Sequence, residues 1–231
     1  MRIFQALALS LLSSTILSAQ PSVKYFVKAG ETPAEVLPNE ALYVLPVFET
    51  GTVFLRDGSF SNLLLNYNFV LDEMQFIGLK SDTLAIATPN LIRKVVIDSL
   101  TFYYDKGYLQ ETFKKDSFNL AIKQMLIQLP DKTHGGYDVS SASSSITTYG
   151  TIITNSAMNK LQVKKDVYFE KKYEYFLGDQ YHHFVKADKK GFLAIFSLKK
   201  ESLQKYLKEN NINFNKKENI EQLLNYCLTG N

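Results

Sequence analysis

Between residues 52 and 113 the chain rarely runs far without a turn signal, and that spacing decides its fold class. Short runs rich in β-branched and aromatic residues cover 52–56, 63–70, 74–79, 83–87, 94–97, 100–104 and 108–113. They recur every 8–12 residues or so, which is strand spacing. Asp57-Gly58 and Asp105-Lys106-Gly107 are predicted hairpin turns, because glycine adopts positive φ at little cost. Asp72-Glu73 is a third. Strands this close leave no room for crossover helices, so neighbours pair as an antiparallel meander and not as βαβ units.

The stretch LLLNYNFV at 63–70 contains an oddity, two asparagines flanking a tyrosine. Asparagine is depleted in strands because its amide competes for backbone groups. Alternation puts Leu65, Tyr67 and Phe69 on one face, read as the core face, and Leu64, Asn66 and Asn68 on the other, read as the less buried one. The amides then either bond to a neighbouring strand or loop, or join Gln75 in a polar groove. Such a groove suits sugars or peptide backbones, since an amide both donates and accepts. Structural use is the favoured reading.

Residues 118–129, FNLAIKQMLIQL, fit a long strand or a helix, and the continued spacing favours strand. Residues 130–150 are rich in Ser, Gly and Thr and read as a flexible loop projecting from the sheet. Strand character resumes at 151–154 and 161–169, and 173–177 with 181–185 forms another pair. The tyrosines of VYFEKKYEYF, Tyr173 and Tyr175 among them, suit protein or sugar contact, or packing between sheet and helices. Residues 188–231 are predicted helical. Ser197 stands as N-cap ahead of Leu203, Tyr206 and Leu207, and Asn215 with Glu218 forms a capping box before 220–228. The expected fold is α+β, mostly β: an antiparallel meander, curled or a partial barrel, with C-terminal helices packed on it. Residues 49–231 form one domain.

Ahead of it, residues 21–48 contain Pro21, Pro33, Pro38 and Pro46 and read as an extended arm leading into the first strand. Residues 1–20 have the order of a secretory signal peptide: Arg2, an apolar stretch, then small residues before a cleavage point near Ala19 or Gln20. The apolar run is shorter than the roughly 20 residues of a spanning helix, and no cysteine follows it to carry a lipid anchor. No later segment is long and apolar enough to span as a helix. The single cysteine, Cys227, allows no internal disulfide. It shares a helical stripe with Ile220, Leu223 and Leu224, which makes it a buried structural thiol.

Charge excludes one partner class. Residues 20–159 carry 11 Lys and Arg against 14 Asp and Glu, and residues 160–231 carry 14 Lys and no Arg against 9 acids. Nucleic-acid sites favour arginine for bidentate contacts, so the basic half reads as a solvated face and no nucleic-acid binding is expected. Catalytic sets are thin. The histidines are His134, His182 and His183. The adjacent pair alternates faces on a strand, and with Asp179 it matches no established metal motif. Ser140–145 lack a nucleophile-elbow context, no glycine-rich phosphate loop occurs, and Asp72-Glu73 are better explained as turn residues than as glycosidase acids. No cofactor is expected.

Three stretches, GTVFLRDGSFSNLLLNYNFVLDEMQF, KVVIDSLTFYY and KADKKGFLAIFSLKKESLQKYLKENNINF, resemble uncharacterised secreted proteins of Bacteroidota. The resemblance implies a periplasmic, outer-membrane-associated or extracellular setting, with peripheral outer-membrane association. It also implies O-glycosylation where Asp precedes Ser or Thr and an apolar residue, which falls at Thr83 and Ser99. The expected function is a non-catalytic exported cell-envelope protein that binds another protein or an envelope complex. The alternatives are binding of a small molecule, lipid or glycan in the curled sheet, and a hydrolase with an unrecognised site.

Overall fold

The computed structural model describes residues 23–129 and 162–229. The signal-peptide stretch, the loop 130–150 and the strand expected at 151–154 lie outside these residues. The meander is present as one antiparallel sheet. Its strands are β1 Lys24–Val27, β2 Glu49–Leu55, β3 Phe60–Asn68, β4 Glu73–Ile77, β5 Thr83–Ala85, β6 Ile92–Ile97, β7 Leu100–Tyr104, β8 Tyr108–Lys115, β9 Phe118–Gln128, β10 Val167–Gly178 and β11 Phe184–Lys186. The order across the sheet is β1-β10-β9-β8-β7-β6-β2-β3-β4-β5, with β11 beside the far half of β10. Residues 118–128 are strand, held by β8 on one side and by ten paired positions of β10 on the other.

Aspartate chemistry builds the tight turns. Asp72, Asp98 and Asp116 sit at positive φ themselves, and Gly58 and Gly107 take that role after Asp57 and Asp105. Gly107 is required twice: its φ is +136°, and a Cβ there would run into the Lys123 ammonium and the Asp72 carboxylate.

The sheet is curled and unclosed. Curling brings strands distant in the order together: Lys171 of β10 lies over the ring of Phe69, just past β3, at 5.0 Å. Asp72, in the β3–β4 turn, accepts hydrogen bonds from the Tyr67 hydroxyl at 2.8 Å, from the Tyr108 backbone N–H at 3.0 Å and from Lys123 Nζ at 2.9 Å. The rings of Phe102 and Tyr108 pack at a tilt against that of Tyr67 in this region, in the first of two cores.

Residues 21–48 were expected to be an extended arm, and the described part is instead woven into the fold. Val27 of β1 is buried, and two single-turn helices, α1 Pro33–Val36 and α2 Asn39–Leu42, put Leu37, Ala41 and Leu42 into the first core. Beyond α2 the chain runs beside the end of β3, where β2 no longer reaches. There Val44 N–H bonds to the Tyr67 carbonyl and Phe69 N–H to the Leu42 carbonyl.

The second core joins Leu120 and Leu177 of the sheet to the C-terminal helices: α3 Lys189–Ile195, α4 Lys200–Glu209 and α5 Lys217–Thr229. Ser197 does not cap a long helix. It opens a single 3-10 turn between α3 and α4, and the capping side chain is Asp188, which accepts from Gly191 N–H at 2.8 Å. The expected stripe on α5 holds: Ile220, Leu223, Leu224 and Cys227 are buried. Burial pushes the Cys227 thiol up to about 11, so it stays protonated at neutral pH.

Candidate functional site

Asn66 and Asn68 of β3 are 1% and 2% exposed, as buried as the tyrosine between them. Their face is therefore not the wet one: the segment after α2 covers it. Asn66 acts as a substitute strand partner for that segment. Its Oδ1 accepts from Leu45 N–H at 3.1 Å and Tyr67 N–H at 2.9 Å, and its Nδ2 donates to the carbonyls of Leu45 at 2.8 Å and Val47 at 3.1 Å. Pro46 has no N–H to offer a strand ladder, which explains why a side chain does this work. Asn68 Oδ1 accepts from the N–H groups of Val70 and Leu71, closing the β3–β4 turn. Gln75 accepts from the Tyr43 hydroxyl at 2.8 Å and donates to Glu73 at 2.8 Å. These three amides thus spend their hydrogen bonds inside the protein.

Tyr173 and Tyr175 are differently placed. On β10, alternation puts Lys171, Tyr173 and Tyr175 on the face that also carries Phe169 and Leu177. Register sets Tyr173 opposite Gln124 and Tyr175 opposite Ile122, and Ile122 in turn opposite Gln110 of β8. Phe169 and Leu126 belong to the first core, Leu120 and Leu177 to the second. The stretch between them is a floor of tyrosine and glutamine, of which Tyr175 packs at the margin of the second core while Tyr173, Gln124 and Gln110 belong to neither. Tyr173 is 44% exposed, and Lys171, Gln124, Gln110 and Tyr175 are half-buried.

The floor's hydrogen-bonding capacity is largely unspent. Gln124 Nε2 donates to Gln110 Oε1 at 3.3 Å, which leaves Gln124 Oε1 and Gln110 Nε2 without a protein partner among the described residues. The hydroxyls of Tyr25, Tyr173 and Tyr175 likewise make no hydrogen bond among the described residues. Carboxylates flank the floor. Burial raises the Tyr25 phenol, with Glu40 of α2 and Tyr173 adding to it. Burial also raises Tyr175, followed by Glu218 of α5, Tyr173 and Glu221. Lys171 is lowered by its burial, against the pull of Glu40. From Lys171 to Tyr175 the strand advances about 13 Å, room for about four residues of an extended chain.

The histidines do not converge. His182, at φ 60°, stacks on Tyr103 with centroids 4.0 Å apart, whereas His183 turns to Asp179, with Nδ1 at 3.2 Å from Oδ2. Among the described residues no group of three or more His, Cys, Asp and Glu could hold a metal ion. Beneath His182, the Tyr103 hydroxyl and Asn119 Nδ2 both donate to Glu111 Oε2, at 3.3 and 3.2 Å. Burial and Glu111 push the Tyr103 phenol up to about 12. Thr83 is exposed at the start of the edge strand β5, and Ser99 in the β6–β7 turn, where its hydroxyl donates to Asp98.

Sequence reasoning missed Gln110, Gln124, Tyr25 and Glu40. An amide inside the apolar run of β9 was the available signal for Gln124, the same signal that singled out Asn66. No protein-family model, curated protein or solved structure matches the chain. Among the described residues no helix is long and apolar enough to cross a membrane.

Proposed function

We propose that the protein is a non-catalytic, exported cell-envelope module that holds an extended segment of a partner protein across the floor formed by β8, β9 and β10. The observation that carries this reading is the set of unspent hydrogen-bonding groups on one sheet face: two glutamine amides, the hydroxyls of Tyr173 and Tyr175, and that of Tyr25 from the adjoining β1. Aromatic rings supply contact area at low entropic cost, and the amides pair with a peptide backbone. Glu40 on one side and Glu218 and Glu221 on the other favour a segment carrying lysine or arginine. The same groups would serve a glycan, whose C–H faces stack on tyrosine and whose hydroxyls pair with amides and carboxylates.

Cross-linking of intact cells followed by capture tests the proposal. The double variant Tyr173→Ser, Tyr175→Ser is expected to recover roughly tenfold less partner, since stripping aromatic anchors commonly costs a binding site at least that much. Tyr173 is exposed, but Tyr175 is half-buried and packs against the second core, so some loss of stability is expected from it and capture is compared per folded molecule. Undiminished capture would contradict the proposal. Capture that survives exhaustive protease treatment of the envelopes would transfer the floor to the glycan reading.

A further inference from the structure

A second surface, none of whose residues belongs to β8, β9 or β10, has a different character. In the order β6-β2-β3-β4 each strand is antiparallel to its neighbours. Three connections must therefore emerge at one end of the sheet: the β2–β3 turn, the β4–β5 turn and the segment leading into β6. At each a large apolar side chain is turned outward, Phe60 from the first position of β3 and Leu79 and Leu91 from the other two connections. Leu79 is fully exposed, Phe60 is 63% exposed and Leu91 56%.

Cations surround them. Arg56 is held at this end by donating from Nε to the Asn90 carbonyl at 2.9 Å. Arg93 and Lys94 are consecutive, so a regular strand would send them to opposite faces. Here the β2–β6 register shifts between Phe54 and Leu55, with Phe54 opposite Lys94 and Leu55 opposite Ile92, which leaves Arg93 as the extra residue of a bulge. Both cations consequently reach the same ring, Phe54, at 5.7 and 5.0 Å, with Phe60 packed beside it at 6.3 Å. Including exposed Lys80, four cations share this end with two carboxylates, those of Asp57 and Asp82. Asp57 already accepts from Ser59 N–H and Oγ. The end is a positive island in the half of the chain that is otherwise acidic.

We infer that this end of the sheet docks on an anionic lipid surface. Protruding apolar tips ringed by arginine and lysine suit a deformable interface, where the tips enter the headgroup–acyl boundary and the cations meet phosphates. A soluble acidic partner would need the charges but not the three separate apolar tips, and it is the alternative that the test excludes.

The test is co-sedimentation with vesicles of phosphatidylglycerol and phosphatidylcholine, against phosphatidylcholine alone. Binding is expected to the anionic vesicles and to fall at least about tenfold on the neutral ones. The pair Arg93→Gln, Lys94→Gln and the pair Leu79→Ser, Leu91→Ser should each weaken it by roughly tenfold. Melts should confirm that both remain folded, and Phe60→Ser replaces the leucine pair if that variant proves unstable. The inference is overturned by failure to bind anionic vesicles, by equal binding to neutral ones, or by apolar variants that bind undiminished. Full displacement by soluble polyglutamate would overturn it in favour of an acidic protein segment.

Discussion

Replacing Tyr67 with alanine is expected to remove roughly 3–5 kcal/mol of folding stability, the range for truncating a large buried aromatic. The ring is 2% exposed and packs at 5.5 Å against both Phe102 and Tyr108, so the cavity cannot simply refill. Its hydroxyl also donates to Asp72, which braces the β3–β4 turn against β8 and β9. Burial, followed by the neighbouring carboxylate, keeps this phenol protonated and a donor. Tyr67→Phe separates the two contributions: it keeps the packing and loses one hydrogen bond, for about 1 kcal/mol. Denaturant melts of the two variants give the comparison. An alanine variant that melts like the unaltered protein would mean that Tyr67 is not part of the core.

The next largest effect is expected at Asn66, where alanine should cost roughly 2–4 kcal/mol. The side chain is buried and satisfies four backbone groups, at Leu45, Val47 and Tyr67. Deleting it strands several polar groups at once, each at about 1–3 kcal/mol when water cannot reach it. The costs do not add in full, because water re-enters around the half-buried Leu45. Asn66→Asp is the sharper probe: it keeps the shape but aims a carboxylate at the carbonyls of Leu45 and Val47, so it should be no better tolerated than alanine. Capture of the partner per folded molecule should be unchanged in both variants. Loss of capture with an unaltered melt would relocate the binding site to β3.

How far the fold was legible in the residues follows from what each signal depends on. Turn chemistry is local, so Asp57-Gly58 and Asp105-Lys106-Gly107 announced their hairpins, and the strands between them followed. The inward face of β3 was equally legible, because Leu65, Tyr67 and Phe69 alternate with polar residues. Its other face was misread for a physical reason. Period-two alternation distinguishes a buried face from a wet one, but not from a second buried face covered by residues 42–47, far off in sequence and proline-broken. Asp188 was passed over as a cap because α3 is only two turns long and Ser197 competes for the role. Tyr173 and Tyr175 could be named from composition alone. Joining them to Gln124 and Gln110 required the register of three strands, including the shift between Glu111 and Phe113, and no residue type encodes that shift.

In the proposed function it is the tyrosine–glutamine face of β10 that holds a partner. The most direct test is site-specific photo-cross-linking in cells, with a benzophenone side chain placed at Tyr173 or, separately, at Tyr168. Tyr168 is also exposed and on the same strand, but alternation puts it on the opposite face. A discrete adduct is expected from position 173 and none from 168. An adduct from 168 with none from 173 would contradict the proposed function.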